Sequence, residues 1–456
     1  MRLLRWLYPG LRVKRWLVLF ALGICLLGFG LAFSLSPGTM PDVAAAVAHA
    51  LRAPAGQAVP RWVLAAAFLA AGAAAAAIAL RGAVLSLVEV LAPRAAEGLG
   101  EVLYLRRIAG RGPRVVAIGG GTGLPVLLRG LKGYTGNLTA IVTVGDDGGS
   151  SGRLRGELGI LPPGDIRNCL LALADTEPLM EQVFQHRFQK GSLAGHSVGN
   201  LLLGGLSEVT GDFVEAIEAA SRVLAVRGRV LPSTVEHVTL VAELTDGRTV
   251  RGETAIAAAH GRIRRLRLEP PTARALAHAV QALDEADIII IGPGSLYTSL
   301  LPNLCLAELR DALHRSRALR VFVVNVMTQP GETDDLSAAD HIAALQDHVG
   351  RPGIDVVVVN SARVADERLA PYRAQGSAPV AADEERCAAL GVQVLARDVV
   401  SAEGLVRHDP DRLAAAILEE ALARFGPPQP RHLVDYYLLQ ERLRPARRSR
   451  RGDEPQ

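Results

Sequence analysis

Several glycine-rich and polar stretches of this chain directly follow apolar runs, and the first of them is suited to holding a phosphate group. Residues 119–123 are Gly-Gly-Gly-Thr-Gly, between the apolar run 114–118 and the amphipathic segment 124–131. Glycines let the backbone approach a phosphate without a Cβ in the way, and the helix N-terminus that follows supplies free N–H groups. The spacing fits neither a Walker A loop nor Gly-x-Gly-x-x-Gly. The candidate ligands in this loop are Gly120, Gly121, Thr122 and Gly123.

Two acidic motifs come next along the chain. Asp146 and Asp147 follow a second apolar run, 138–144, so we expect them at the same edge of a parallel sheet as the glycine loop. An acid about 20 residues beyond such a loop can accept a hydrogen bond from a ribose hydroxyl. A pair of Asp can also hold Mg²⁺ against a diphosphate. Asp165 and Arg167 precede an apolar helical segment, where helix capping and ligand binding are both open.

The motif Gly-His-Ser-Val-Gly-Asn, residues 195–200, also stands before an apolar helical segment. His196 and Asn200 could reach a base, a sugar or a phosphate, although a lone His more often has a structural role. The 11 His include no His-Glu-x-x-His, and the four Cys lie far apart without a Cys-x-x-Cys. The sequence therefore indicates no zinc site, and no nucleophile–base–acid triad can be identified.

A second glycine loop follows the apolar run 288–291. Gly294 and Ser295 could present N–H groups to a second phosphate, and Tyr297 could stack on a base or bond a sugar. The polar stretch 325–334 likewise follows an apolar run. The motifs together predict a ligand crevice at the carboxyl ends of the strands.

Strand and helix patterns alternate between these motifs, which predicts an α/β fold with a doubly wound, mostly parallel, Rossmann-like sheet. Nearly continuous apolar strands are typical of a sheet that is covered on both faces. Between the two halves we expect a β insertion at about 228–270, with a hairpin that turns at Asp246-Gly247. The predicted strands are 114–118, 138–144, 288–291, 321–326, 356–359 and 392–395, and the predicted helices include 124–131, 272–285 and 306–316.

The first 110 residues differ in composition from the rest. The runs 16–33 and 62–80 contain no charged residue, and a helix of that length nearly spans the hydrocarbon core of a bilayer, at about 1.5 Å per residue. Cations flank the pair of runs on the outside, whereas the loop 34–61 between them holds two Arg. The positive-inside rule therefore predicts a multi-pass cell-membrane protein with two transmembrane helices and with the main domain and both termini in the cytoplasm.

The net charge of +4 is unevenly distributed. Residues 1–110 carry 11 Lys/Arg against 4 Asp/Glu, and residues 442–456 carry six Arg against two acids, which leaves a net charge of −7 for the body. Such a body has no electrostatic footprint for nucleic acid, and we expect no nucleic-acid partner. The predicted organisation is a membrane anchor with a juxtamembrane linker (1–110), a nucleotide-binding domain (111–430) and a basic tail (431–456).

Six motifs in this order resemble the YvcK-type gluconeogenesis factor family over about residues 112–425. That family is similar to 2-phospho-L-lactate transferase, the CofD enzyme, which transfers a phospholactyl group to a deazaflavin. The segments that carry the resemblance are AIGGGTGLPVLLRGLK, TVGDDGGSSGRLR, PPGDIRNCL, GHSVGNLLL, IIIIGPGSLYTSLLPN and NVMTQPGETD.

The resemblance implies a nucleotide cleft that binds UDP-sugars, notably UDP-N-acetylglucosamine, and a regulatory role that links carbon metabolism to cell shape and peptidoglycan precursor supply. The implied partners are this nucleotide sugar and proteins of cell-wall precursor synthesis, and we also expect a homo-oligomer. The two apolar runs depart from the soluble form that is usual in the family. The positions that match the family's motifs are Gly120, Gly121, Thr122, Gly123, Asp146, Asp147, Asn200, Gly294, Ser295 and Tyr297, with Asp165, Arg167 and His196 as further candidates.

Whether the chain catalyses a reaction is open at this point, and a non-catalytic regulator is the favoured interpretation. The alternative is a Mg²⁺-dependent phosphotransferase that resembles 2-phospho-L-lactate transferase, in which Asp147 and Asp165 would hold the metal. A nicotinamide-dependent oxidoreductase ranks lowest, because the glycine spacing does not fit its fingerprint.

Overall fold

The computed structural model describes residues 14–35, 61–91, 112–175, 178–351, 353–402 and 404–425. The chain divides into two compact units, Met1–Leu105 and Arg106–Gln456. Most of the predicted external loop, most of the juxtamembrane linker and the basic tail 431–456 lie outside the described residues.

The first unit contains two helices, α1 (Lys14–Leu35) and α2 (Arg61–Leu91), which pack closely through small residues. A Cβ on Gly23 would lie 2.9 Å from the backbone nitrogen of Ala76, and one on Gly72 would lie 2.8 Å from the carbonyl oxygen of Gly23. Such close approach through glycine is typical of helix pairs in lipid. By length and composition, each helix is sufficient to cross a membrane. The large apolar side chains exposed on the pair include Leu17, Val18, Phe20, Leu22, Ile24, Phe29, Leu31, Trp62, Ile78 and Leu80.

The second unit is built on a seven-stranded parallel sheet with the order β10-β9-β8-β7-β1-β2-β3. The central strand β1 pairs with β2 on one side and with β7 on the other, so the chain order reverses between β1 and β7. The prediction of a doubly wound parallel sheet is confirmed. The strands of this sheet are β1 (Val115–Gly119), β2 (Leu138–Val142), β3 (Arg229–Pro232), β7 (Ile288–Ile291), β8 (Leu319–Val323), β9 (Val356–Asn360) and β10 (Gln393–Arg397).

The strands form because their apolar runs are buried on both faces. All residues of β1, β2 and β7 are buried, and the four Ile of β7 are 0% exposed. Helices on both sides provide this cover. The described helices of this unit outside the insertion are α3 (Leu124–Leu131), α4 (Gly149–Leu158), α5 (Pro163–Leu173), α6 (Pro178–Gln185), α7 (Val198–Thr210), α8 (Phe213–Val223), α10 (Ala277–Glu285), a π-helix (Leu296–Leu300), α11 (Leu301–Leu304), α12 (Ala307–Arg315), α13 (Ala338–Val349), α14 (Asp366–Arg373), α15 (Glu384–Ala389) and α16 (Pro410–Phe425).

The β insertion is shorter than the range 228–270 expected for it. β3 lies inside that range but pairs with β2 in the main sheet, from Thr139 opposite Arg229 to Val142 opposite Pro232. A run of four residues is too short for its pattern to reveal this pairing. The insertion is a separate antiparallel sheet of β4 (Thr239–Leu244), β5 (Thr249–Arg251) and β6 (Ile263–Glu269), with helix α9 (Glu253–Ala258) between the last two. Its first hairpin turns at Asp246-Gly247, as predicted.

Candidate functional site

The two glycine loops meet at the point where the chain order of the sheet reverses. Residues 120–123 follow β1 and residues 292–295 follow β7, which is the neighbouring strand. A Cβ on Gly123 would lie 2.4 Å from the carbonyl oxygen of Pro293 and 2.9 Å from the backbone nitrogen of Gly294, so the loops are in direct backbone contact. Because doubly wound sheets bind ligands outside the carboxyl ends of their strands at such a point, this is the candidate site.

The first glycine loop already holds a carboxylate of the protein, that of Asp165. The backbone N–H of Gly121 donates to this carboxylate, and a Cβ on Gly121 would lie 2.4 Å from Asp165 Oδ1. The side-chain amide of Asn168 donates to the Gly121 carbonyl at 2.9 Å. Burial raises the pKa of Asp165 to about 6, against the opposing effect of the Gly121 hydrogen bond. A phosphate could bind at Gly121 only if it displaced the half-buried carboxylate of Asp165. Of the other predicted ligands, Gly120 is buried and Thr122 is exposed.

The second glycine loop also holds an internal carboxylate, that of Glu332. The N–H groups of Tyr297 and Thr298 donate to Glu332 Oε1 at 2.9 and 2.7 Å, and that of Gly294 donates to Asn325 Oδ1 at 3.1 Å. Glu332 is 4% exposed, and its Oε2 has no hydrogen-bond partner among the described residues. Burial raises the pKa of this carboxyl group. Of the two N–H groups that were predicted to bind a second phosphate, that of Gly294 is therefore engaged within the protein, whereas Glu332 takes the N–H groups of the next two residues after Leu296.

Tyr297 lies beneath the insertion, where it is not available to stack on a ligand as the sequence suggested. Its side chain is 5% exposed, and its hydroxyl donates to the carbonyl oxygen of Ile263 at 3.3 Å. Its ring meets the imidazole of His348 edge-on, and burial raises the pKa of the phenol to about 12. The neighbouring Ser295 donates its hydroxyl to Gln329 Oε1 at 2.5 Å. This part of the second loop thus anchors the insertion and the segment after β8.

Three predicted acids gather around a residue that the motifs missed, Glu253. It begins α9 in the insertion, and burial followed by the charges of Asp146, Asp165 and Asp147 raises its pKa to about 9. No sequence pattern marks Glu253, because it meets these acids only after the insertion folds back onto the loop behind β2. As a result, several acidic side chains lie close together at the edge of the sheet where its strands end.

Asp147 fastens the insertion to the main domain. Its Oδ1 accepts hydrogen bonds from the backbone N–H of Thr254 at 3.0 Å and from the Thr254 hydroxyl at 2.7 Å, so it caps the first turn of α9. Within the described ranges, no three His, Cys, Asp or Glu converge closely enough to hold a metal ion. A Mg²⁺ at Asp147 and Asp165 would need phosphate or water oxygens to complete its ligand shell.

Replacing Thr254 with Val should lower the free energy of unfolding by about 1 kcal/mol, because one of the two hydrogen bonds to the Asp147 carboxylate is lost. Thermal unfolding of the full chain in a mild detergent, followed by far-ultraviolet circular dichroism, measures the change. Thr249→Val on the exposed strand β5 is the matched control and should alter stability by less than about 0.5 kcal/mol. Equal stability of the two variants would show that the cap contributes nothing.

A continuous chain of buried hydrogen bonds joins three of the predicted motifs. Arg167 Nη1 donates to Asn200 Oδ1 at 2.9 Å, and Asn200 Nδ2 donates to Ser150 Oγ at 3.0 Å. Ser150 Oγ in turn lies 3.0 Å from His196 Nδ1. The four side chains are between 1 and 9% exposed. The structure thus brings the predicted residues Arg167, His196 and Asn200 into one network, with Ser150 as a member that the sequence did not single out.

A cavity of about 340 Å³ lies at the opposite edge of the sheet, at the amino ends of β1, β2 and β3. Arg114, Asn137 and Arg229 are among the residues that line it. Ligands of doubly wound sheets bind at the carboxyl ends of the strands, so this cavity is separate from the candidate site.

Comparison with known proteins matches residues 115–400 to the family of 2-phospho-L-lactate transferase CofD. The chain is 46% identical over 426 residues to a gluconeogenesis factor protein of Nostoc sp. PCC 7120, which covers 91% of this chain and 92% of that one. It is 49% identical to the gluconeogenesis factor of Bacillus subtilis, over 68% of this chain and 98% of that protein. A crystal structure of a UPF0052 family member from Bacillus halodurans is 48% identical, covers 67% of this chain and 99% of its own, and superimposes with a TM-score of 0.66.

Proposed function

The chain belongs to the gluconeogenesis factor family, within the CofD-like group, and on this premise we propose that it binds a UDP-sugar, with UDP-N-acetylglucosamine as the expected ligand, and acts as a regulator. The observation that supports this most is the buried network of Arg167, Asn200, Ser150 and His196 at the ligand edge of the sheet. A buried polar network fixes side-chain positions in advance, which is what recognition of a polar ligand requires.

The proposed output is a change in a partner-binding surface, without a broken covalent bond. A ligand that binds one conformation better shifts the population toward that conformation. The insertion is suited to transmit such a shift, since Asp147 and Glu253 connect it to the site itself. We propose that the partners belong to cell-wall precursor synthesis, so that the protein would link carbon metabolism to cell shape.

We also propose that α1 and α2 tether the protein to the cell membrane, with the main domain in the cytoplasm. The support is their length, their exposed apolar side chains and the glycines between them. A relative from Clostridium acetobutylicum is 39% identical over 98% of this chain, a share that includes both helices. Cell fractionation tests the tether: the protein should stay with the membranes after washes with high salt and with alkaline carbonate, and release by salt alone would exclude it.

Isothermal titration calorimetry on the full chain in a mild detergent tests the ligand. We expect binding of UDP-N-acetylglucosamine that is at least about tenfold tighter than binding of GDP, a difference of roughly 1.4 kcal/mol. Tryptophan fluorescence is unsuitable here, because the three Trp (Trp6, Trp16 and Trp62) all lie within residues 1–110. Incubation with UDP-N-acetylglucosamine and Mg²⁺ should leave the ligand intact. A preference for GDP, or consumption of a deazaflavin acceptor, would overturn the proposal.

The alternative, a Mg²⁺-dependent phosphotransferase, has one observation in its favour. Glu253, Asp146 and Asp165 influence one another electrostatically, and the ion pairs among the described residues include none of the three. A bound Mg²⁺ would neutralise charge on a transferring phosphoryl group. Calorimetric titration with Mg²⁺ in the presence of the nucleotide separates the two candidates: the regulator binds UDP-N-acetylglucosamine without metal, whereas the transferase requires it.

A further inference from the structure

Both glycine loops contain carboxylates of the protein, so the anionic part of a ligand needs another place at the same edge of the sheet. Asp165 lies against Gly121 in the first loop, and Glu332 accepts from the N–H groups of Tyr297 and Thr298 directly after the second. A phosphate placed in either loop would lie close to one of these two acids, and like charges in a poorly solvated site repel strongly. The negative charge of these two acids therefore disfavours a phosphate in either glycine loop, although glycine spacing alone suggests both positions.

A cluster of opposite charge lies around the loop 194–196. Arg153 Nη2 donates to the carbonyl oxygen of Ala194 at 2.8 Å, and Arg187 Nη1 donates to that of Gly195. His196 follows directly: burial and then the charge of Arg153 lower the pKa of its imidazole, Glu157 opposes this shift, and Arg187 adds to it. We call Arg153, Arg187 and His196 the cationic cluster. No Asp or Glu oxygen of the described residues lies within 4.0 Å of either guanidinium.

The cluster belongs to the ligand edge of the sheet. Ser150, which contacts His196, begins α4 directly after the loop that carries Asp146 and Asp147 behind β2. The loop 194–196 is held in place by a backbone pairing between Arg187 and Ser197 and by the Phe188 N–H, which donates to the His196 carbonyl at 2.9 Å. The loop therefore has a fixed backbone, and the two arginines that donate to it are exposed.

One ring nitrogen of His196 has no partner within the described part of the protein. The residue is 5% exposed, yet its Nε2 has no hydrogen-bond partner among the described residues and still reaches solvent. Its other nitrogen, Nδ1, is occupied by Ser150. A buried ring that leaves one polar atom accessible is arranged to meet something outside the protein.

The buried network determines whether His196 Nε2 donates or accepts a hydrogen bond. A guanidinium can only donate, so Asn200 turns its oxygen toward Arg167 and its NH₂ group toward Ser150. The Ser150 hydroxyl accepts from Asn200, and we assign its own proton to His196 Nδ1, which lies 3.0 Å away. The neutral imidazole then carries its proton on Nε2 and offers a donor to an acceptor outside.

From these observations we infer that Arg153, Arg187 and His196 form an anion-binding subsite that takes the diphosphate of the ligand. Two exposed guanidinium groups and one N–H donor suit phosphate oxygens, which accept several charge-assisted hydrogen bonds at once. The assignment of the ligand as a nucleotide sugar rests on the proposed function, whereas the recognition of a diphosphate rests on the cluster itself.

Calorimetry with three probes tests the subsite: UDP-N-acetylglucosamine, inorganic pyrophosphate and uridine, each titrated into the full chain in detergent. Arg187→Gln and Arg153→Gln should each weaken UDP-N-acetylglucosamine and pyrophosphate about tenfold, since each loses one charge-assisted contact. Binding of uridine should not change. Arg317→Gln, which removes an exposed cation just before β8 at the opposite edge of the sheet, is the matched control and should bind all probes like the wild type.

The outcomes separate this inference from the proposed function. If the wild type binds UDP-N-acetylglucosamine and both variants bind it equally well, the subsite is excluded and the function stands. If the wild type binds pyrophosphate in an Arg187-dependent way but not the UDP-sugar, the subsite stands and the ligand is a different diphosphate. If neither probe binds, both are excluded. Circular dichroism of the variants should match the wild type, because both arginines are exposed.

Discussion

Glu253→Gln should stabilise the protein by about 3.5 kcal/mol at pH 7. The carboxyl group is largely buried beside Asp146, Asp165 and Asp147, and its pKa is raised from 4.5 to about 9. At pH 7 the folded protein therefore keeps a proton on Glu253 that the unfolded chain has released. This difference costs about 1.4 kcal/mol for each pH unit above the unfolded pKa. Gln has the shape of the protonated acid and does not ionise, so the cost disappears.

The pH dependence gives this prediction its sign. The pKa of Glu253 is higher in the folded protein than in the unfolded chain. The group therefore contributes stability that is fully present below pH 4.5 and is lost as the pH rises toward 9. The difference between Glu253→Gln and the wild type should thus be below about 1 kcal/mol at pH 5 and largest at pH 9. Other groups affect both proteins equally, so comparing the two at each pH removes their contribution. Asp165 is one of them: because its pKa is raised from 3.8 to about 6, it makes the stability of both proteins fall over that lower pH range.

Thermal unfolding of the full chain in detergent between pH 5 and pH 9, followed by far-ultraviolet circular dichroism, measures the effect. Glu218→Gln on the exposed face of α8 removes the same charge at a solvated position and is the matched control. It should shift stability by less than about 0.5 kcal/mol at every pH. If Glu253→Gln unfolds at the wild-type temperature at pH 9, Glu253 is ionised without cost and is not enclosed by the three Asp.

The sheet and its loops were predictable from the sequence because their signals are local. An apolar run such as the four Ile of β7 can only be a buried strand or a buried helix segment, and the glycines that follow it decide in favour of the strand. The carboxyl ends of parallel strands share one edge, so the motifs behind β1, β2 and β7 had to come together. β3 escaped notice since its four residues form no recognisable period.

The internal occupants of the glycine loops were not predictable, because each depends on a contact between distant parts of the chain. From the sequence, Asp165 could equally cap a helix or bind a ligand, and neither interpretation placed it against Gly121. Glu332 was noted only as part of a polar stretch, yet it accepts from the N–H groups of Tyr297 and Thr298, directly after the residues where a phosphate was expected. The residue type of Tyr297 suggested stacking on a base or bonding a sugar, whereas the π-helix that contains it packs that ring beneath β6.

The enclosure of Asp165 by the first glycine loop leads to the other large effect that we expect. Gly121→Ala should lower the free energy of unfolding by about 3 kcal/mol, from overpacking together with a weakened hydrogen bond. The added Cβ would lie 2.4 Å from Asp165 Oδ1 and 2.5 Å from Asp165 Cα, so a rotation of the Asp side chain cannot relieve the contact. The first turn of α5 would have to move, and the hydrogen bonds of Asp165 and Asn168 to Gly121 would lengthen.

Gly156→Ala separates this steric effect from the general consequence of replacing glycine. Gly156 lies in the exposed part of α4, where an added Cβ would meet nothing within 4 Å, so Ala should stabilise the helix by about 0.5–1 kcal/mol. The two variants introduce the same methyl group and should therefore shift the unfolding temperature in opposite directions. Because Asp165 belongs to α5, which also carries Arg167 of the buried network, Gly121→Ala should in addition weaken binding of the UDP-sugar. A variant that unfolds at the wild-type temperature would mean that the loop does not enclose Asp165, and the first phosphate position would then be open to a ligand after all.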